Sequence, residues 1–192
     1  MRGDRPLIGA GPDGGMTRGM RGQTSSMAGH TARSDGEQIR ALQAVGYELR
    51  MMAHASVRLR QAQLAEDDPT ARNAFLESAL LHARALIAFF LKPRRHVSDI
   101  HRTDFAPDWT TPAPPEAVKR LNDHYQLLHK YLAHLTWDRV SKDAPAWDYP
   151  NIATDILDVA DAWSEHLASA DQPTWNLPSL VLSARQTLTG KA

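Results

Sequence analysis

Residues 71–91 read ARNAFLESALLHARALIAFFL, and whether this stretch is a core helix or a membrane span decides the fold. Leu76, Ala79, Leu80, Ala83, Ile87 and Phe90 recur at steps of three and four, the period of one helical face. Leu86 and Phe89 widen that face toward burial on more than one side, as expected of the central helix of a bundle. The uninterrupted apolar run is ALIAFFL at 85–91, well short of the ~18–20 residues that span a bilayer. The stretch therefore reads as the core helix of a soluble protein, with no membrane association and a cytoplasmic location expected.

Working outward, Pro69 in the turn EDDPT at 66–70 suits a helix start. Before it, Ile39, Leu42, Val45, Leu49, Met52 and Ala53 keep helical spacing from a capping residue at Ser34 or Asp35 to about Ala65. Gly46 lies inside this helix at a cost of about 1 kcal/mol relative to alanine, which points to close packing there. Residues 1–36 hold most of the glycine and little large apolar surface, so they read as a disordered N-terminal tail. They lack the hydrophobic centre of a secretory signal.

On the C-terminal side, Pro93 stops the central helix and 92–116 forms a long polar loop. Connections beyond about 12–15 residues are uncommon in compact domains and tend to be functional. This loop carries Arg94, Arg95, His96, Asp99, His101, Arg102 and Asp104, and Phe105 and Trp109 are placed to pin it to the bundle. A third helix covers Ala117 to Arg139, and a fourth Ile152 to Ala168, with Trp147 and Tyr149 anchoring the connection before it. Leu177 to Leu188 adds a short terminal helix. The expected fold is all-α: an antiparallel bundle of four to five helices over 37–192, with a long loop between helices 2 and 3.

Composition narrows the chemistry. Lys plus Arg and Asp plus Glu are both 22, so nucleic-acid binding would need a local basic patch. Cysteine is absent, which removes disulfides, thiolate metal sites and cysteine nucleophiles. No glycine-rich phosphate loop or nucleophile elbow is present, and no cofactor is expected.

The third helix carries the polar candidates. Leu121, Tyr125, Leu128, Leu132 and Leu135 share a face that includes His124, read as a core histidine. His129 and His134 lie five residues apart and turn roughly 140° from one another, so one ion is not held by both. His134 with Asp138 meets the i, i+4 spacing of a helical metal pair, with Asp99, His101 and Asp104 as the further donors; no metal site is expected. Arg84, at the edge of the central helix's apolar face, reads first as an ion-pair partner of Glu77, Asp99 or Asp104. Its functional reading is an anion-binding cleft with Lys130, His134 and Arg139.

The combination of LLHARALIAFF at 80–90, a polar loop and HKYLAHLTWDR at 129–139 resembles the HEPN-like helical bundles of toxin–antitoxin and abortive-infection systems. The resemblance covers about residues 40–170. It implies a compact bundle, dimerisation, a cognate antitoxin-like partner and, in many members, metal-independent RNase activity. The family motif is an arginine, a polar residue, then a histidine about five positions beyond the arginine. His134 takes the histidine's place and Lys130 the polar position, while His129 stands where the arginine is expected. Histidine retains acid–base and hydrogen-bonding capacity but lacks the permanent charge of a guanidinium. The resemblance thus implies a dimeric binding or regulatory module contacting RNA or a nucleotide near His134. The alternatives are a metal-independent ribonuclease toxin using His129 and His134, and a purely structural or protein-interaction bundle.

Overall fold

Ser34 opens the first helix as its spacing requires. Its hydroxyl accepts from the Glu37 N–H at 3.4 Å, and the Glu37 carboxylate accepts from the Ser34 N–H at 2.9 Å. This reciprocal cap satisfies two of the donors that a helix start leaves unpaired. In the computed structural model, which describes residues 33–66, 68–111, 115–132, 145–170, 172 and 174–190, the elements are all helical. They are α1 (Asp35–Leu64), α2 (Pro69–Leu91), α3 (Pro115–Leu132), α4 (Tyr149–Ser169) and α5 (Leu177–Thr189), with a 3₁₀ turn at Arg102–Asp104. No strand occurs among the described residues.

Four of the five helices carry a proline in their first turn, at positions 69, 115, 150 and 178. The missing N–H costs nothing there and the fixed φ favours the helix. This is why α3 and α4 begin two or three residues before their apolar periods do. The expected tail, 1–36, lies outside the described residues up to position 32, while Asp35 and Gly36 belong to α1; the expected course of helix 3 beyond Leu132 also lies outside them.

The α1–α2 hairpin is the broadest contact. α5 packs beside α1, α3 beside α2, and α4 packs against all four other helices. At the centre Trp163 of α4, fully buried, meets Phe89, Phe90 and Phe105 edge-on, with ring centroids 5.1, 5.6 and 5.7 Å away. Edge-to-face contacts at these separations suit the ring quadrupoles and add to the area each ring buries. Gly46 permits the close approach expected of it, since a β-carbon there would overlap the Leu180 side chain of α5.

Charged ties lock the α3–α4–α5 side. Arg120 of α3 donates through Nε and Nη2 to the two carboxylate oxygens of Asp155 on α4, at 2.9 and 2.7 Å. Arg185 of α5 reaches Asp158 at 3.0 Å and also bonds Asp161.

Taken as a whole, Pro69–Leu91 is long and apolar enough to cross a membrane by length and composition. Its longest uninterrupted run alone understated this. In the bundle the same helix buries Ala79, Leu80, Ala83, Leu86, Ile87, Phe89 and Phe90 against its neighbours. Phe105 and Trp109 are both buried and hold the long loop after α2 against the core.

Candidate functional site

The edge of α2 that faces α3 carries Arg84, Ala88 and Lys92 at steps of four, one residue per turn. Small Ala85 and Ala88 leave the space between the two cations open. Tyr125 of α3 and the loop residues Arg94, Arg95, His96, Asp99 and His101 complete an open groove of about 410 Å³. Pro93 ends α2, and the RRH run after it lines the same groove as the last turns of the helix.

The partners of these cations define the site. Arg84 Nη2 lies 3.4 Å from His129 Nδ1, and its guanidinium lies 6.0 Å from the Tyr125 ring centre. Guanidinium only donates, so His129 Nδ1 is the acceptor. Among the described residues the buried Arg84 Nε has no hydrogen-bond partner. Lys92 donates to Asn122 Oδ1 at 2.5 Å and sits 4.6 Å from the Tyr125 centroid. Arg84 and Lys92 therefore rest on an imidazole, an amide and a phenol ring, none of which cancels their charge. Burial is the main cause that pushes the Lys92 amine down from its ordinary value; the Arg95 charge adds to it, and Asp123 opposes. A lysine whose charge is disfavoured by its surroundings gains from an incoming anion.

Arg94 is differently placed, bonded to Asp104. Asp99 is the groove's carboxylate, and its Oδ2 accepts from the main-chain N–H of His96 at 2.9 Å and of Arg95 at 3.3 Å. The His96 N–H bond is the leading cause that holds the Asp99 carboxyl below its ordinary value. Arg95 is exposed, and its side chain enters no ion pair among the described residues.

The wall of the groove is fixed by His101. This ring is 5 % exposed. Its Nε2 lies 2.7 Å from the Lys92 carbonyl, and its Nδ1 lies 2.7 Å from Thr103 Oγ1 and 3.3 Å from the Thr103 N–H. A carbonyl only accepts and a main-chain N–H only donates, so Nε2 carries the proton and Nδ1 is bare. Burial first, then the Arg102 and Arg94 charges, depress its protonation; the bond to the Lys92 carbonyl and the Asp104 charge oppose.

Of the expected cleft, Arg84 is at the site and is joined by His129. The ion pair anticipated for Arg84 with Glu77, Asp99 or Asp104 is not formed: Asp104 takes Arg94, Asp99 caps the loop, and Arg84 turns to His129 and Tyr125. Lys130 is exposed and stacks over Tyr131 at 5.4 Å, outside the groove lining. His134, Asp138 and Arg139 lie outside the described residues. His124 is half-buried, as a core-facing histidine should be, but its Nδ1 is buried without the hydrogen-bond partner expected for it. Among the described residues no group of three or more His, Asp or Glu side chains is placed to hold a metal ion. Sequence reasoning missed Lys92 and Tyr125 as site residues. The i, i+4, i+8 spacing of Arg84, Ala88 and Lys92 was the available signal.

No family model, no curated protein and no solved structure matches the chain.

Proposed function

We propose that the chain is a phosphate-binding helical-bundle module of the HEPN-like kind, contacting RNA or a nucleotide through the α2–α3 groove, and acting by binding and regulation. The observation that carries this reading is that Arg84 and Lys92 project into one groove on neutral partners. A partly buried cation that no carboxylate neutralises gains when a counter-charge arrives. Phosphate oxygens supply that charge and match the guanidinium fork. With no global basic excess, the binding rests on this local patch.

A second reading, a metal-independent ribonuclease, is favoured by one contact. The arginine that the family motif requires is replaced in α3 by His129, and Arg84 brings a guanidinium to that same histidine from α2. In this reading His129 and His134 share the acid–base work and Arg84 stabilises the phosphorane charge.

Fluorescence anisotropy with a labelled single-stranded RNA, in chelator, tests both. The expected outcome is saturable binding, weakened in Arg84→Gln and Lys92→Gln. Equal binding by wild type and both variants would sink the groove reading. Cleavage of the RNA by wild type and not by His129→Ala would move the conclusion to the ribonuclease.

A further inference from the structure

We propose that His101 is a pH gate for the groove: its neutral ring staples the loop carrying Arg94, Arg95 and His96 to the end of α2, and its protonation releases that wall and lowers anion affinity. This rests on the groove being the binding site.

The geometry is a three-way closure around one buried ring. The Nε2–H bond to the Lys92 carbonyl ties the ring to the residue that caps α2. Nδ1 accepts from the Thr103 N–H of the 3₁₀ turn. The His101 N–H in turn donates to Asp104 Oδ2 at 2.9 Å, and the other oxygen of that carboxylate holds Arg94. One imidazole thereby connects the helix end, the turn and the groove wall. A proton on Nδ1 puts two donors face to face, because the Thr103 N–H cannot reverse its role. The Thr103 hydroxyl can rotate to accept, which relieves only one of the two contacts.

Among the described residues the charges acting on the ring are few. From its own turn come Arg102, which opposes protonation, and Asp104, which favours it; from the loop beside α2 comes Arg94, which opposes it. α2 itself presents the Lys92 carbonyl, and Tyr125 of α3 is the neutral group across the groove. The Asp104 carboxylate is engaged by Arg94, so it is a poor counter-ion for an imidazolium.

The gate has a distinctive sign. Positive charge added in acid favours an anion, so an ungated cationic groove binds a phosphodiester no less tightly in acid. The gated groove binds it less tightly.

The test uses the full chain and a single-stranded oligonucleotide, whose phosphodiesters keep their charge from neutral to mildly acidic pH. Wild-type affinity is expected to fall by about tenfold, or 1.4 kcal/mol, from neutral to mildly acid pH, while His101→Gln, which cannot gain a proton, loses that fall. Wild-type affinity that rises steadily toward acid overturns the gate and leaves the groove standing. Absence of oligonucleotide binding at every pH refutes the groove and the affinity effect with it, and release of the loop by the His101 proton is then read separately from hydrogen exchange of 93–104 in the wild-type chain. Protection corrected for intrinsic rates is expected to drop in acid in that segment ahead of α4. Protection that stays constant, or that drops in both together, overturns the gate.

Discussion

Two regions of this bundle use basic residues in opposite ways. On the α3–α4–α5 side, Arg120 and Arg185 are matched to Asp155, Asp158 and Asp161. In the α2–α3 groove, among the described residues, Arg84 and Lys92 hydrogen-bond only to neutral groups. The protonation equilibria of Arg120, Arg185 and Lys92 diverge accordingly. The side-chain bond to Asp155 is the leading cause that raises Arg120. Arg185 is opposed by burial, yet its bonds to Asp161 and Asp158 raise it. Burial lowers Lys92 and also Arg102 of the loop. Cations held by carboxylates are structure, and cations held by neutral groups are left with charge to offer a ligand.

The largest effect should come from the residue that joins the groove loop to the core. Phe105 packs its ring on Trp163 and Phe89 while its backbone continues the groove loop. Phe105→Ala should lower the unfolding free energy by about 3 kcal/mol in urea titration and weaken RNA binding too. Loss of stability with binding intact would show that the loop keeps its shape without the core.

Next come the groove cations. Lys92→Gln should reduce affinity for single-stranded RNA by about tenfold, worth ~1.4 kcal/mol, without lowering the melting temperature. A fall in melting temperature would place Lys92 among the structural cations instead. Arg120→Gln should do the reverse, lowering the melting temperature by stranding the Asp155 carboxylate, which is 5 % exposed, while leaving RNA affinity within about twofold.

The smallest effect is the pH dependence of stability. His101 is held below its ordinary value mainly by burial, so the folded state binds this proton less readily than the unfolded chain does. Its contribution is fully present above about pH 6.5, the unperturbed histidine value, and is lost as the pH falls through the folded value. Urea midpoints should therefore decline in mild acid, and His101→Gln should flatten that part of the curve. An unchanged slope in the variant would assign the decline to other groups.

The helices were legible because their signals are local. Ser34 with Glu37, Pro69 and the apolar period of 76–90 need only neighbours in sequence to act. Boundaries slipped where proline starts a helix ahead of its apolar period, as at Pro115 and Pro150. The site was half legible. Arg84 stands out as a charge on an apolar edge, but its meeting with His129 crosses 45 residues of chain, and no spacing rule reaches that far. Tyr125 shows why reading faces is insufficient: it is a core residue by period and burial, and its ring also floors the groove. Asp155 sits on the buried face of α4, where a charge is unexpected until Arg120 is seen to meet it.

The salt dependence of RNA binding tests the division of labour most directly. Single-strand binding that neutralises three phosphates should give a slope of log affinity against log salt of about −2, roughly −0.7 per contact. That slope is expected for wild type and for Arg120→Gln with Arg185→Gln, and a slope near zero for Arg84→Gln with Lys92→Gln and Arg95→Gln. A groove variant that keeps the wild-type slope, or a tie variant that loses it, would contradict the assignment.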